Sequence, residues 1–129
     1  MPSEPIAQRS SRYWVDDEGF IRGVLREGVE YQLADAEEMM ALHRQMTGGQ
    51  PRGLLMDIRA VRALPREVRA YFTQPEHAEV HRAVALLVGS PLSRAIGNFF
   101  LGFNKPAMPM RLFSEEESAL EWLRKVARP

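Results

Sequence analysis

The chain has 129 residues, of which 45% are hydrophobic and 26% are charged, a length and composition typical of one soluble globular domain. Seventeen basic side chains balance seventeen acidic ones, so the net charge does not favour binding to nucleic acid or to an anionic membrane. The absence of cysteine excludes disulfides, thiolate nucleophiles and cysteine-based zinc or iron–sulfur sites.

Neither a targeting segment nor a membrane span is predicted. The longest apolar run covers residues 83–88, whereas a spanning helix needs about 20 residues. The N-terminal sequence MPSEPIAQRSS lacks the apolar core of a signal peptide. We therefore expect a cytoplasmic protein with a flexible tail at residues 1–11 and one domain at residues 12–127.

The first half of the chain predicts a β-hairpin, a short strand, a helix and a buried strand. The hairpin spans residues 13–25 around turn residues 16–19, and the short strand covers residues 29–33. Asp35 and Glu38 form a capping box that begins a helix, and Gly48 and Gly49 end it. Residues 54–58 are apolar apart from Asp57, which is typical of a strand covered on both faces.

The second half predicts three more helices and two more strands. Pro65 begins the second helix, and residues 83–88 form another buried strand. Ser90 as N-cap and Pro91 at the first helical position begin a third helix that runs to about residue 103. A final strand at residues 110–113 precedes a final helix. The order predicts an α/β fold, an N-terminal β-hairpin followed by βαβαβαβα, in which helices pack on a mixed sheet.

Two stretches carry a resemblance to a known family. They are the strand-to-helix segment at residues 53–68 and the block GNFFLGFNKPAMPMRLFSEEESALEWL at residues 97–123. Over about residues 12–127 the chain resembles the STAS domain of bacterial anti-sigma-factor antagonists. It resembles still more the small STAS-like proteins related to CRAL-TRIO lipid-transfer domains. The resemblance implies a STAS-like scaffold, whose members mostly bind partners or small apolar ligands.

The chain departs from the antagonists at their phosphorylation site. Those proteins carry a phosphorylatable serine at the start of the helix after the central strand. The corresponding stretch here is LPREV at residues 64–68, and no serine or threonine lies between Gly53 and Phe72. The phosphorylation switch of the antagonists is therefore not implied for this chain.

The polar residues do not predict a catalytic or metal site. His77 and His81 have the spacing of a zinc pair on one helix face, but no third ligand follows them, so a solvated polar segment is the simpler interpretation. His43 is predicted at the surface or its boundary, and Asp57 is expected to bond backbone groups at a strand end. We therefore expect no enzyme, no metal and no cofactor.

The third helix carries both candidate binding sites. Steps of 100° per residue place its sheet-facing stripe on one side, formed by Leu92, Ile96, Phe99 and Phe103. A candidate interaction surface lies beside this stripe and is formed by Gly97, Phe100 and Leu101. At the N-terminus, Ser90, Ser93 and Arg94 are candidates for contact with an anion or a ligand headgroup.

The expected function is a non-catalytic regulatory domain that mediates protein–protein contacts in a bacterial cytoplasm, including formation of a homodimer. The alternative is binding of a lipid or other small apolar ligand in a pocket between the sheet and the third helix. A large apolar cavity beneath that helix would favour the ligand, and a filled core with an apolar patch at Phe100 and Leu101 would favour the protein partner.

Overall fold

A mixed six-stranded sheet organises the computed structural model, which describes residues 3–103 and 108–128 apart from the Phe103 side chain. Within those residues the strands are β1 (Ile6–Ala7), β2 (Ser11–Val15), β3 (Ile21–Leu25), β4 (Arg52–Asp57), β5 (His81–Leu87) and β6 (Met110–Phe113). The strands lie in the sheet in chain order. The pairs β1–β2 and β2–β3 are antiparallel, and the pairs from β3 to β6 are parallel.

The helices divide unequally between the two faces of the sheet. They are α1 (Leu33–Thr47), α2 (Arg66–Phe72), α3 (Pro91–Phe103) and α4 (Glu116–Val126), with a short 3-10 helix at Pro75–Glu79. Three of them, α1 to α3, connect consecutive parallel strands. Right-handed crossovers that advance in one direction place their helices on the same face. The last helix, α4, follows the last strand and covers the opposite face.

Alternate residues of the central strands point to opposite sides of the sheet and belong to two separate hydrophobic cores. One side of β4 and β5 packs beneath α1 to α3 and presents Leu54, Met56, Val84 and Leu86, which we call the cavity face. The other side packs beneath α4 and presents Leu55, Ala83, Ala85 and Leu87, which we call the α4 face. The central residues of these strands, 53–56 of β4 and 83–87 of β5, are apolar because both of their faces are buried.

Most predicted elements are confirmed, together with the α/β fold class. The hairpin is the pair β2–β3, and the two buried strands are β4 and β5. The first helix ends at Gly48, which adopts φ 63° as the left-handed C-cap. Ser90 Oγ accepts a hydrogen bond from the Ser93 amide at 3.0 Å, as expected of an N-cap. Strand β6 lies at the sheet edge.

Two boundary predictions are wrong. Residues 29–33 form no strand, although Tyr31 within them is buried. Helix α1 begins earlier than predicted, at Leu33, because Gln32 is its N-cap and Asp35 is the third helical residue. Asp35 Oδ2 accepts the Gln32 amide at 2.8 Å, so the capping box is formed by Gln32 and Asp35.

The predicted tail at residues 1–11 also needs correction, because part of it belongs to the sheet. Strand β1 pairs with β2, and Ser10 and Ser11 are buried. Arg9 Nε donates to Asp35 Oδ1 at 2.9 Å, and Arg9 Nη2 donates to the Glu30 carbonyl at 2.6 Å. A buried carboxylate needs a charged partner, and Arg9 from the N-terminal segment provides it for Asp35.

Candidate functional site

An apolar cavity of about 130 Å³ lies between the cavity face of the sheet and the helices above it. Its floor consists of alternate residues of β4 and β5, including Leu54, Met56 and Leu86. The roof comes from α3 through Ile96 and Phe100, whose ring lies 6.2 Å from that of Phe72 in α2. The site is therefore the space that three crossover helices leave above the sheet.

The cavity wall combines apolar side chains with a few neutral polar ones. Its remaining residues are Leu25, Tyr31, Met39, Ile58, Val61, Leu64, Thr73, Gln74, His77, His81, Val84, Met108 and Met110. Gln74 is exposed and Thr73 is half-buried, so the cavity opens to solvent near the end of α2. Among the described residues that line it, none is Asp, Glu, Lys or Arg.

The predicted orientation of α3 is wrong by about a quarter of a turn, at 100° per residue. Leu92 was expected to face the sheet but is 42% exposed, whereas Ser93 is fully buried. Phe99 is half-buried beneath the Arg69 guanidinium, which lies 5.0 Å from its ring centroid. The inward side consists of Ser93, Ile96, Gly97 and Phe100. The predicted inward position of the Phe103 side chain lies outside the described residues.

This orientation changes the candidate interaction surface. A Cβ at Gly97 would lie 2.7 Å from a methyl group of Leu112, so glycine permits α3 to approach β6 closely. Phe100 points into the cavity wall. Of the three predicted residues only Leu101 is exposed, at 37%. Contact of this surface with a partner stays a prediction, carried by Leu101 and not by Gly97 or Phe100.

The candidate anion contact at the start of α3 is occupied in part by the chain itself. Ser93 Oγ accepts hydrogen bonds from the Gly89 and Ser90 amides, each at 2.9 Å, and lies 3.0 Å from the Ser90 carbonyl, to which it donates. Ser93 is thus a structural residue that satisfies the turn before the helix. Ser90 and Arg94 remain the predicted anion contacts, and Arg94 is exposed.

The three histidines form one buried cluster at an end of the cavity. This corrects the solvated segment predicted for His77 and His81 and the surface or boundary position predicted for His43. His43 is fully buried in α1, and His77 and His81 are each 3% exposed. His43 Nδ1 lies 2.8 Å from His81 Nε2, and His77 Nε2 lies 2.9 Å from the Tyr71 carbonyl. The His77 and His81 rings stack with centroids 6.5 Å apart. They do so from the 3-10 helix and from β5, not from a shared helix face.

Burial keeps these imidazoles neutral. It lowers the pKa of His43 to about 3, with a smaller contribution from nearby His77. Burial likewise lowers the pKa of His77, and it holds that of His81 well below the ordinary 6.5. Among residues 3–103 and 108–128 no group of three His, Asp or Glu side chains is placed to hold a metal ion. The cluster therefore offers neutral hydrogen-bonding nitrogens.

The remaining predicted polar residue, Asp57, has the structural role expected of it. Its Oδ1 accepts the Arg59 amide at 3.0 Å, and its Oδ2 accepts Arg59 Nη2 at 2.7 Å. The histidine cluster is not among the sequence predictions, although the sequence contains one signal of it. His43 follows Met39 by four residues, which places both on the same face of α1, and Met39 is buried.

Crossing a membrane would take a longer and more apolar helix than any in the part of the chain that the structure describes.

Comparisons with known proteins support the fold and leave the activity open. Residues 13–127 match the family described as "Domain of unknown function (DUF7793)". No curated protein matches the chain. The crystal structure of an uncharacterized DUF3478-family protein with a SpoIIAA-like fold, from Shewanella loihica PV-4, has a TM-score of 0.56 at 16% identity. That match covers 95% of this chain and 93% of that chain, and it confirms the predicted STAS-like fold.

A second crystal structure is more similar in sequence. It is that of a protein with unknown function from Arthrobacter sp. FB24, which is 31% identical to this chain. The match covers 92% of this chain and 95% of that chain, with a TM-score of 0.36.

Proposed function

We propose that this chain, which belongs to the DUF7793 family, is a non-catalytic binding protein for a small apolar molecule. The observation that carries the proposal is the cavity of about 130 Å³ between the sheet and α3. An engineered apolar cavity of about 150 Å³ in another protein binds benzene. The cavity therefore suits a molecule of about that size, or one end of a longer apolar chain that enters at Gln74.

The physical driving force is removal of apolar surface from water. Each square ångström buried contributes about 25 cal/mol, and the best small ligands gain at most about 1.5 kcal/mol per non-hydrogen atom. A ligand of benzene size therefore binds with micromolar to millimolar affinity. The methionines in the wall suit such a ligand, because their flexible thioethers adapt to its shape.

The methionines also provide the test. Met39, Met56, Met108 and Met110 line the cavity, whereas Met40 and Met46 do not. In a titration with toluene followed by the NMR signals of ¹³C-labelled methionine methyl groups, we expect saturable shifts at the four lining residues. Met40 and Met46 act as internal references, and uniform shifts or none at all would contradict the proposal.

A matched pair of variants on α3 sharpens this test. Ile96→Phe adds a ring at the roof of the cavity and should abolish the saturable shifts. Leu92→Phe adds the same ring on the exposed side of the same helix and should leave toluene binding unchanged. Equal loss in both variants would show that the shifts report the helix and not the cavity.

Protein–protein contact is the second candidate function. Its observation is that Leu92 and Leu101 are apolar residues exposed on the outer sides of α3. A net charge of zero provides no electrostatic repulsion between two copies of the chain, so a second copy is the partner we propose. If the chain functions through such protein–protein contact, the role that we propose for it is regulatory and lies in a bacterial cytoplasm.

A further inference from the structure

The cavity presents a hydrogen-bond acceptor at its histidine end. His77 Nε2 lies 2.9 Å from the Tyr71 carbonyl oxygen, and a carbonyl can only accept, so Nε2 carries the proton. The other nitrogen of this neutral ring, Nδ1, therefore has a free lone pair. Among the described residues no hydrogen bond to Nδ1 is formed, and the His77 ring lines the cavity.

A second polar atom lies beside it. His81 Nε2 shares one proton with His43 Nδ1 across 2.8 Å, which leaves His81 Nδ1 as the nitrogen that this pair does not use. His81 also lines the cavity, and its ring is nearly parallel to that of His77, with an interplanar angle of 25°. In the described chain His81 Nδ1 likewise has no hydrogen-bond partner. Two imidazole rings, each with one nitrogen outside these hydrogen bonds, thus line one end of an otherwise largely apolar wall.

An apolar wall with neutral histidines at one end favours some ligands over others, according to the polar group that an otherwise apolar ligand carries. A carboxylate or an ammonium group would be buried without an opposite charge, which is costly, because no described residue of the wall is charged. A pure hydrocarbon would cover the His77 lone pair without replacing the hydrogen bond that water can provide there. A hydroxyl group satisfies the lone pair and carries no charge.

We propose that the cavity binds an apolar molecule of about benzene size that carries a hydroxyl group, a phenol or a comparable small alcohol, and that the hydroxyl donates to His77 Nδ1. This inference rests on the proposed function and assigns the chemical class of its ligand. His81, stacked beside His77, flanks the hydroxyl and defines the polar end of the site. Since burial lowers the pKa of both histidines, the acceptor is available at neutral pH.

The test compares phenol with toluene, which has nearly the same shape and no hydroxyl. In titrations at pH 7.5 followed by the methionine methyl signals, phenol should bind about tenfold more tightly, as expected for one buried hydrogen bond. Imidazole ¹⁵N spectra of the unmodified protein should show that phenol shifts the His77 Nδ1 resonance and toluene does not. A phenol-induced shift confined to His81 would overturn the assignment to His77.

The remaining outcomes separate this inference from the proposed function. Equal affinity for phenol and toluene would overturn the hydroxyl assignment and leave apolar binding intact, whereas binding of neither would overturn both. The variant His77→Phe keeps a ring of similar shape and should lose the tenfold preference while it still binds toluene. Should that variant fail to fold, the ¹⁵N measurement on the unmodified protein decides the question by itself.

Discussion

The two faces of the sheet are formed by the same strands but are packed differently: one is closely packed, and the other borders a cavity. On the α4 face, β5 presents Ala83 and Ala85, and a Cβ at Gly53 would lie only 3.0 Å from the Ala127 methyl group. On the cavity face, β5 presents Val84 and Leu86 beneath helices that leave about 130 Å³ between them. The small residues Gly53, Ala83 and Ala85 let α4 pack directly against the strands, whereas the side chains beneath α1 to α3 leave an unfilled space.

The polar interactions of the two faces also differ, because one face uses an ion pair and the other uses neutral hydrogen bonds. Helix α4 is tied to the hairpin turn by Arg124, whose Nη2 lies 2.8 Å from Glu18 Oε1. The cavity face instead has neutral histidines that bond each other and a backbone carbonyl. The two faces therefore differ in both packing and polarity: the α4 face is closely packed and fixed by ion pairs, and the opposite face has an unfilled apolar space with neutral polar groups at one end.

The largest expected effect comes from truncating a leucine on each face. Leu123 belongs to α4 and is fully buried against the sheet. The variant Leu123→Ala should lower the free energy of unfolding by about 4 kcal/mol, because its tightly packed neighbours leave a cavity where the side chain was. Leu54 borders a space already present, so Leu54→Ala should cost about 2–3 kcal/mol. Urea unfolding of both variants measures the difference. An equal loss at the two positions would show that the two faces are packed equally well, and a greater loss at Leu54 would reverse the contrast.

A smaller effect is expected when side chains are enlarged at two adjacent positions of β5. Ala85 faces α4 and is fully buried, so Ala85→Leu should destabilise the protein by about 1–3 kcal/mol through overpacking. Val84 faces the cavity, so Val84→Ile should be neutral or stabilise it by about 0.5–1 kcal/mol. Thermal unfolding of the pair tests the contrast, and equal destabilisation would contradict it.

The smallest effect on stability is expected on the solvent side of α3, which belongs to neither face. Leu101 is 37% exposed, so Leu101→Arg should change the unfolding free energy by no more than about 0.5 kcal/mol. If a second copy of the chain covers this side, the arginine would be buried unpaired and the dimer would dissociate. Light scattering on the folded variant reports the mass, and an unchanged mass would remove the self-association proposal.

The sequence predicted those parts of the fold that depend on neighbours along the chain. Gly48 ends α1 because its left-handed backbone suits glycine, and Ser90 with Pro91 begins α3 through a local hydrogen bond. Apolar runs identified β4 and β5 because both faces of each are buried.

The orientation of α3 could not be predicted from hydrophobicity alone. The 100° spacing predicts that Leu92, Ile96, Phe99 and Phe103 face the sheet. In the structure Gly97 faces Leu112 instead, because a helix close to a strand needs a small residue there. Ser93 is buried because its hydroxyl satisfies two backbone amides. Both effects depend on how α3 contacts the sheet, and the spacing of apolar residues along a helix does not predict those contacts.

The histidine cluster and the N-terminal segment were missed for a related reason. His43 and His81 are 38 residues apart in the chain, and only the fold brings their rings to hydrogen-bond distance. Arg9 likewise meets Asp35 across 26 residues. A polar residue can be buried when a distant residue satisfies its hydrogen bonds. The polar composition of the sequence around residues 9 and 77 does not reveal such partners and therefore predicts exposure.

The order of the strands has a consequence for the speed of folding. Because the sheet order is the chain order, each new pairing closes only the loop between successive strands, and the entropy cost of closure grows slowly with loop length. Among the six described strands, none has to enter between two that are already paired. After the β2–β3 hairpin forms, the sheet can extend at a free edge with β4, then β5, then β6. We therefore expect this chain to fold faster than α/β domains whose central strands arrive last.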